Sequence, residues 1–238
     1  MWKSLLASLF LATTALAQEN PSAYEALRVV GTQLNRDLVS RIISLTGVDG
    51  DPQPRTWKIL VADRSANGGV REITVENNRV ASQRVPNRSV VGSTEGASIN
   101  TARLNLDSTG AYSVASHTAE TSHVTFSLVS YTLRTDDHGN PTWIVTLEDR
   151  SRKPLGTIHI KANDGRVVRV EGMYQGRNMD QVEDDSQQVD NPSADSEDDP
   201  EDNIVKKRIK HLFRKTKEDA RRVFVKARRS FVDFVNRW

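Results

Sequence analysis

Thr142-Trp143-Ile144-Val145-Thr146-Leu147-Glu148-Asp149-Arg150-Ser151 has an earlier echo in Thr56-Trp57-Lys58-Ile59-Leu60-Val61-Ala62-Asp63-Arg64-Ser65. Both copies open on Thr-Trp and close on Asp-Arg-Ser, with apolar β-formers between them, so each reads as the central strand of a unit that occurs twice. The sequence around each copy supports this. Leu38, Ile42 and Trp57 fall opposite Val124, Leu128 and Trp143 at one common offset. Ile73-x-Val75 with Arg79-Val80 matches Ile158-x-Ile160 with Arg166-Val167 after a small insertion.

Working outward, the first unit begins at Asn20-Pro21-Ser22, with Asn20 as a cap candidate ahead of a proline suited to a first turn. Ala23, Ala26, Leu27, Val30 and Leu34 recur at helical spacing and predict a helix from about Ser22 to Arg36. A strand is expected over Leu38–Thr46, a turn over Gly47–Pro54, then the Trp57 strand. Val70–Glu76 and Arg79–Val85 flank Asn77-Asn78, a pair that tolerates the positive φ of a tight hairpin. Pro86–Gly110 is polar, with a short strand expected at Ala102–Leu106. Asp107-Ser108 then offers a cap for a second helix from Gly110 to about Ser122. Val124–Arg134 reads as a strand, Asp136–Pro141 as a turn, Pro154-Leu155-Gly156 as another. Asn163-Asp164-Gly165 is a hairpin signal between Ile158–Ala162 and Arg166–Gly172.

The expected class is therefore α+β: two repeated units, residues 18–85 and 107–174, joined by a connector at 86–106. In each, one helix packs on an antiparallel sheet of about four strands. Such a sheet buries one face, and a single large aromatic supplies much of so small a core, so both tryptophans are read as core residues. The 37% hydrophobic content suits two small cores and a polar tail.

Residues 1–17 have the form of a secretory signal. Lys3 precedes an apolar run from Leu5 to Leu16 that is short for a bilayer span, and Ala15-Leu16-Ala17 fits cleavage after Ala17. The chain has no cysteine, which excludes disulfides, thiol catalysis and thiolate metal sites. A secreted or periplasmic protein of a bacterial envelope is expected.

Trp143-x-Val145 followed by Gly156-x-Ile158-x-Ile160-x-Ala162-x-x-Gly165-x-Val167 resembles the PepSY-type domain of bacterial envelope proteins and peptidase propeptides. The resemblance implies a helix on an antiparallel sheet, a Trp or Tyr strand, and a closing Asp-Ala-x-x-Gly hairpin. Here Lys161 stands in place of that Asp, and the first unit has Asn77-Asn78 where the hairpin glycine would be. Cystatin-like folds leave a similar trace. The resemblance implies a role in binding or restraining other proteins, peptidases included.

Past the second unit the composition shifts. Residues 177–203 carry a net charge of about −10 with almost no large apolar side chain, so 175–203 is expected to be a disordered linker. Residues 204–238 carry about +10. On a continuous helix, Ile209, Leu212, Phe213, Phe224, Phe231, Phe234 and Trp238 share one stripe, bordered by Lys206, Lys210 and Arg228, with Arg221 further round. Val225 and Val232 fall off the stripe. This pattern suits four uses: an anionic membrane surface, a partner helix or the chain's own sheets, nucleic acid, and the acidic linker. Export and the placement of the aromatics argue against nucleic acid.

Reactive constellations are sparse, so no catalytic residue, cofactor or metal site is expected. His117, Glu120 and His123 stand at i, i+3 and i+6, which drifts by about 120° round a helix and spreads them away from a single ion. Asp49-Gly50-Asp51 and Asp136–Asn140 lack calcium-loop spacing and read as turns. Gly92-Ser93-Thr94-Glu95-Gly96 has its serine one place early for a nucleophile elbow. The expected function is an exported, non-catalytic binding or scaffold protein whose C-terminal helix docks on an anionic membrane or an envelope protein. The alternatives are a peptidase inhibitor or chaperone-like module acting through the sheets, and a hydrolase with an unrecognised site.

Overall fold

The computed structural model describes residues 20–86, 98–173, 181–183, 214–215 and 218–237. The expected signal at 1–17 lies outside them, as does most of the expected acidic linker. The fold is α+β, but it is not built on four-stranded sheets. A single antiparallel sheet of nine strands runs β4-β3-β2-β1-β5-β6-β7-β8-β9. Its strands are β1 (Ile42–Gly50), β2 (Thr56–Ala62), β3 (Val70–Glu76), β4 (Arg79–Arg84), β5 (Leu128–Thr135), β6 (Pro141–Glu148), β7 (Pro154–Lys161), β8 (Val167–Glu171) and the three-residue edge β9 (Gln181–Glu183). Each half is a four-strand meander, and the halves join through their first strands, where Leu45 faces Leu133 and Gly47 faces Tyr131. β9, inside the segment expected to be disordered, pairs with β8.

Helix α1 (Ala23–Gln33) starts at Ser22, which accepts from the Glu25 amide while the Glu25 carboxylate accepts from the Ser22 amide. The cap is thus Ser22, and Asn20 instead donates to the Gln53 carbonyl. The helix stops short of Arg36 because Asn35 caps a separate turn, α2 (Arg36–Val39). Leu38 lies in that turn, so the first strand begins at Ile42. That strand also runs into the stretch expected to turn, as far as Gly50, and the bend follows at residues 51–55. Gly47 sits opposite Trp57, and a Cβ there would stand 2.8 Å from the indole, so the glycine serves close packing. Pro154–Gly156 is likewise strand; the turn before it is built by Asp149, which accepts from the Ser151 and Lys153 amides. Asp63 accepts from the Ser65 amide in the same way, so the repeated Asp-x-Ser is an Asx turn in both halves. Ser65 and Arg71 hold the Asp63 carboxyl down at about 2.

Asn77 and Asn78 take φ of 50° and 58°, and Gly165 takes 68°, as their hairpins require. Helix α3 (Ser108–Thr121) is capped by Asp107. The strand expected at Ala102–Leu106 is a 3-10 turn (Thr101–Arg103) followed by an extended run whose Leu104 and Leu106 are buried.

The two tryptophans occupy equivalent places. The Trp57 indole N–H donates to the Pro21 carbonyl, and that of Trp143 to the Leu106 carbonyl, each at 2.8 Å. In both cases the acceptor directly precedes a helix cap. Tyr131 bridges the rings, at 5.8 Å from Trp57 and 6.2 Å from Trp143. Trp57, Ile59, Leu45, Tyr131, Leu133, Trp143, Val145 and Ile158 belong to one buried cluster that crosses the β1–β5 junction.

Trp57→Phe and Trp143→Phe each leave a buried carbonyl without its donor and a void beside it, and each is expected to cost about 2–4 kcal/mol. Urea unfolding should show one transition for both variants, shifted by similar amounts.

Candidate functional site: the groove that holds the C-terminal segment

Two helix N-termini meet at one carboxylate. Each leaves amide N–H groups with no partner in the helix. Asp107 Oδ1 accepts from the Tyr24 amide of α1 at 3.0 Å and from the Ser108 amide of α3 at 2.7 Å. The Ser108 hydroxyl accepts from the Ala23 amide and donates to Gln53 Oε1. Asp107 is fully buried. Its burial pushes the carboxyl above the usual range, against the pull of Ser22, the Tyr24 and Ser108 amides and the Arg229 charge.

The third side of this cluster comes from the end of the chain. Helix α4, residues 218–227, lies near α3 and the β7–β8 hairpin. Residues 228–230 belong to neither helix nor strand, and α5 (Phe231–Val235) follows. The Arg229 and Phe231 amides donate to the Asn105 and Leu104 carbonyls at 2.9 and 2.8 Å, which breaks the single helix expected over 204–238. The Arg229 guanidinium stands 3.9 Å from Asp107 Oδ2 and 4.2 Å from the Phe234 ring centre. The Tyr24 ring meets Phe231 edge-on at 4.9 Å and Phe234 at 5.7 Å. Arg36 donates to the Val235 carbonyl at the far end.

α4 approaches the fold over two glycines. A Cβ on Gly110 would lie 3.3 Å from that of Ala227, and one on Gly165 would strike the Phe224 ring. The groove thus recognises an arginine followed by aromatics two and five places on, Arg229-x-Phe231-x-x-Phe234.

The expected aromatic stripe is therefore real over its described part but turned inward. In this structure Phe224 is buried against the β7–β8 hairpin and Phe231 and Phe234 against Tyr24 of α1, which matches the expected use of the stripe in packing on the chain's own fold. Val225 and Val232 are exposed, as their place off the stripe implied. Arg221 and Arg228 are exposed on the outer side, with Arg222, Lys226 and Arg237. Lys206, Ile209, Lys210, Leu212, Phe213 and Trp238 lie outside the described residues. Sequence reasoning missed Asp107, Tyr24 and Arg229 as a group. The cap signal at Asp107 was visible, but nothing local links it to an arginine so far along the chain.

The remaining candidates do not converge. His117 lies 3.8 Å from both Glu120 and Asp219 of α4, while His123 falls past the end of α3 at a φ of 57°. Among the described residues no three His, Asp or Glu side chains are grouped to hold a metal ion, and no helix is long and apolar enough to cross a membrane. Asp49 pairs with Arg152, and Asp136 caps its own turn through the His138 and Asn140 amides. The serine at Ser93 lies outside the described residues. On the sheet face opposite Trp57, the register aligns Thr74, Lys58, Thr46, Thr132, Ile144, His159 and Arg169 in one row. Burial holds His159 below its usual range, partly opposed by Glu171.

No family model, no curated protein and no solved structure matches this chain.

Asp107→Asn retains an acceptor for the two amides, whereas Asp107→Ala strands them and is expected to cost about 2–4 kcal/mol. Because the folded carboxyl titrates above its unfolded value, its contribution is full below about pH 4 and lost as pH rises through the folded pKa. The urea midpoint of Asp107→Asn should lack that decline, and a parallel pH profile in both proteins would contradict it.

Proposed function

We propose that the protein is an exported, non-catalytic binding or scaffold protein that meets an anionic membrane surface through its C-terminal segment. One observation carries this reading. When Phe224, Phe231 and Phe234 are seated in the groove, Arg221, Arg222, Lys226, Arg228 and Arg237 all point outward from one short segment. Each cation near an anionic lipid surface contributes about 1 kcal/mol, and that contribution falls within a Debye length. The apolar run of residues 5–16 supports export, and the sequence of 204–215 extends the same basic character. The two halves, each a capped helix and a four-strand meander with a tryptophan bonded ahead of the cap, support an origin by duplication of a PepSY-like unit.

A second reading places recognition on the open sheet face, as in a peptidase inhibitor or chaperone-like module. The row of Thr, Lys, Ile, His and Arg side chains described above favours it, because it crosses seven neighbouring strands over about 29 Å.

Flotation with vesicles of phosphatidylcholine and phosphatidylglycerol tests the first reading. At about 0.1 M salt the wild type should float with the vesicles. Arg221→Glu, Arg222→Glu, Lys226→Glu and Arg228→Glu combined should reduce the bound fraction at least tenfold, with the urea midpoint unchanged. Equal flotation of the two proteins, or none by the wild type, contradicts the membrane reading. In the sheet-face reading the combined variant still captures its protein partner.

A further inference from the structure

The aromatic stripe can be used once at a time. Phe224, Phe231 and Phe234 cover Gly165 and Tyr24 in this structure, and the same rings are the aromatic groups that the described part of the segment could offer to a lipid interior. We propose that the α1–α3 groove and an anionic lipid surface compete for residues 218–237, so that the segment leaves the groove and inserts its aromatic stripe into the membrane. This rests on the membrane reading above and adds the mode of binding.

Four observations make the segment a detachable piece. Its backbone is tied to residues 104–105 through two amides, those of Arg229 and Phe231, where a sheet strand would have a full ladder. The interface leaves a polar atom poorly satisfied: among the described residues, Asp107 Oδ2 is buried without a hydrogen bond and Arg229 stands 3.9 Å away, a cost borne by the docked form. Packing beside Phe231 is incomplete, with a cleft of about 190 Å³ between α2 and α5 lined by Val39, Thr101, Val232 and Val235. Finally, residues 184–217 lie between β9 and the segment in the sequence, so no short connection ties it to the sheet edge.

Chemistry selects the lipid. Arg221, Arg222, Lys226 and Arg228 are solvated on the outer side and can meet headgroups before any contact in the groove breaks. Arg229 is half exposed, so a phosphate can compete with Asp107 for it. Once free, a segment with Phe on one side and Lys/Arg on the other has the make-up of an interfacial helix, with the Arg229 and Phe231 amides released from Asn105 and Leu104. Groups facing Asp107 from the packed elements are Ser22 and Tyr24 of the α1 end, Ser108 of α3, whose hydroxyl also bonds Gln53, and Arg229 itself.

A lock tests this directly. The chain has no cysteine, and a Cβ on Gly110 would stand 3.3 Å from the Ala227 Cβ, close to disulfide geometry once the end of the Leu106 side chain shifts. The pair Gly110→Cys and Ala227→Cys, oxidised, should hold the segment in the groove. Vesicles of phosphatidylcholine and phosphatidylglycerol are loaded at low salt and washed at about 1 M salt, where the Debye length is about 3 Å and purely electrostatic binding is lost. The reduced pair and the wild type should stay bound, and the oxidised pair should wash off at least tenfold more completely. Equal retention of oxidised and reduced protein overturns the proposal, as does complete loss of both. Loading that fails even at low salt overturns the membrane reading itself. Amide exchange on the wild type gives a second measurement free of substitutions: vesicles should speed exchange of the Arg229 and Phe231 amides at least tenfold, and unchanged protection overturns the release.

Discussion

Two helices start at the same place in this fold, and their first amides need acceptors that water cannot supply. Asp107 answers for both, and the indoles of Trp57 and Trp143 fix the chain just ahead of each start. The sheet depends on this arrangement as much as the helices do. Each tryptophan lies in the second strand of its meander, so its bond to the carbonyl before a cap sets where that helix crosses the sheet. Tyr131 and Gly47 then fill the junction between the halves, Tyr131 through its ring and Gly47 through the space it leaves for Trp57.

The same carboxylate explains why the chain end is where it is. A buried carboxyl shared by two helix starts still has an oxygen left over, and Arg229 is the cation that approaches it. That approach draws Phe231 and Phe234 onto Tyr24 and leaves the other basic residues of the segment in water. The chain thus carries an apolar stripe that is satisfied internally and a basic face that is not. The proposed meeting with an anionic surface rests on the second property, and the proposed competition for the stripe rests on the first.

Much of the local structure was legible because it depends on near neighbours. Asn77-Asn78, Asn163-Asp164-Gly165 and Asp107-Ser108 sit where their turn and cap chemistry requires. Both tryptophans are core residues, as the apolar demand of a one-faced sheet implied. What was not legible depends on distant partners. Gly47 and Gly156 read as turn residues until the side chains filling their empty Cβ positions, Trp57 and Met173, are known. The joining of two four-strand units into one sheet rests on β1 pairing with β5, which no local pattern encodes. The C-terminal stripe was visible in outline, but its partner was Tyr24, near the other end of the chain.

The most direct test of this account is native-state hydrogen exchange of the two core indole N–H groups across a urea series. If both helix starts are pinned through one shared cluster, Trp57 and Trp143 exchange only through global unfolding, with equal free energies and the full denaturant slope. Exchange of either indole through a local opening, or free energies that differ by more than about 1 kcal/mol, would show that the halves hold their helices independently.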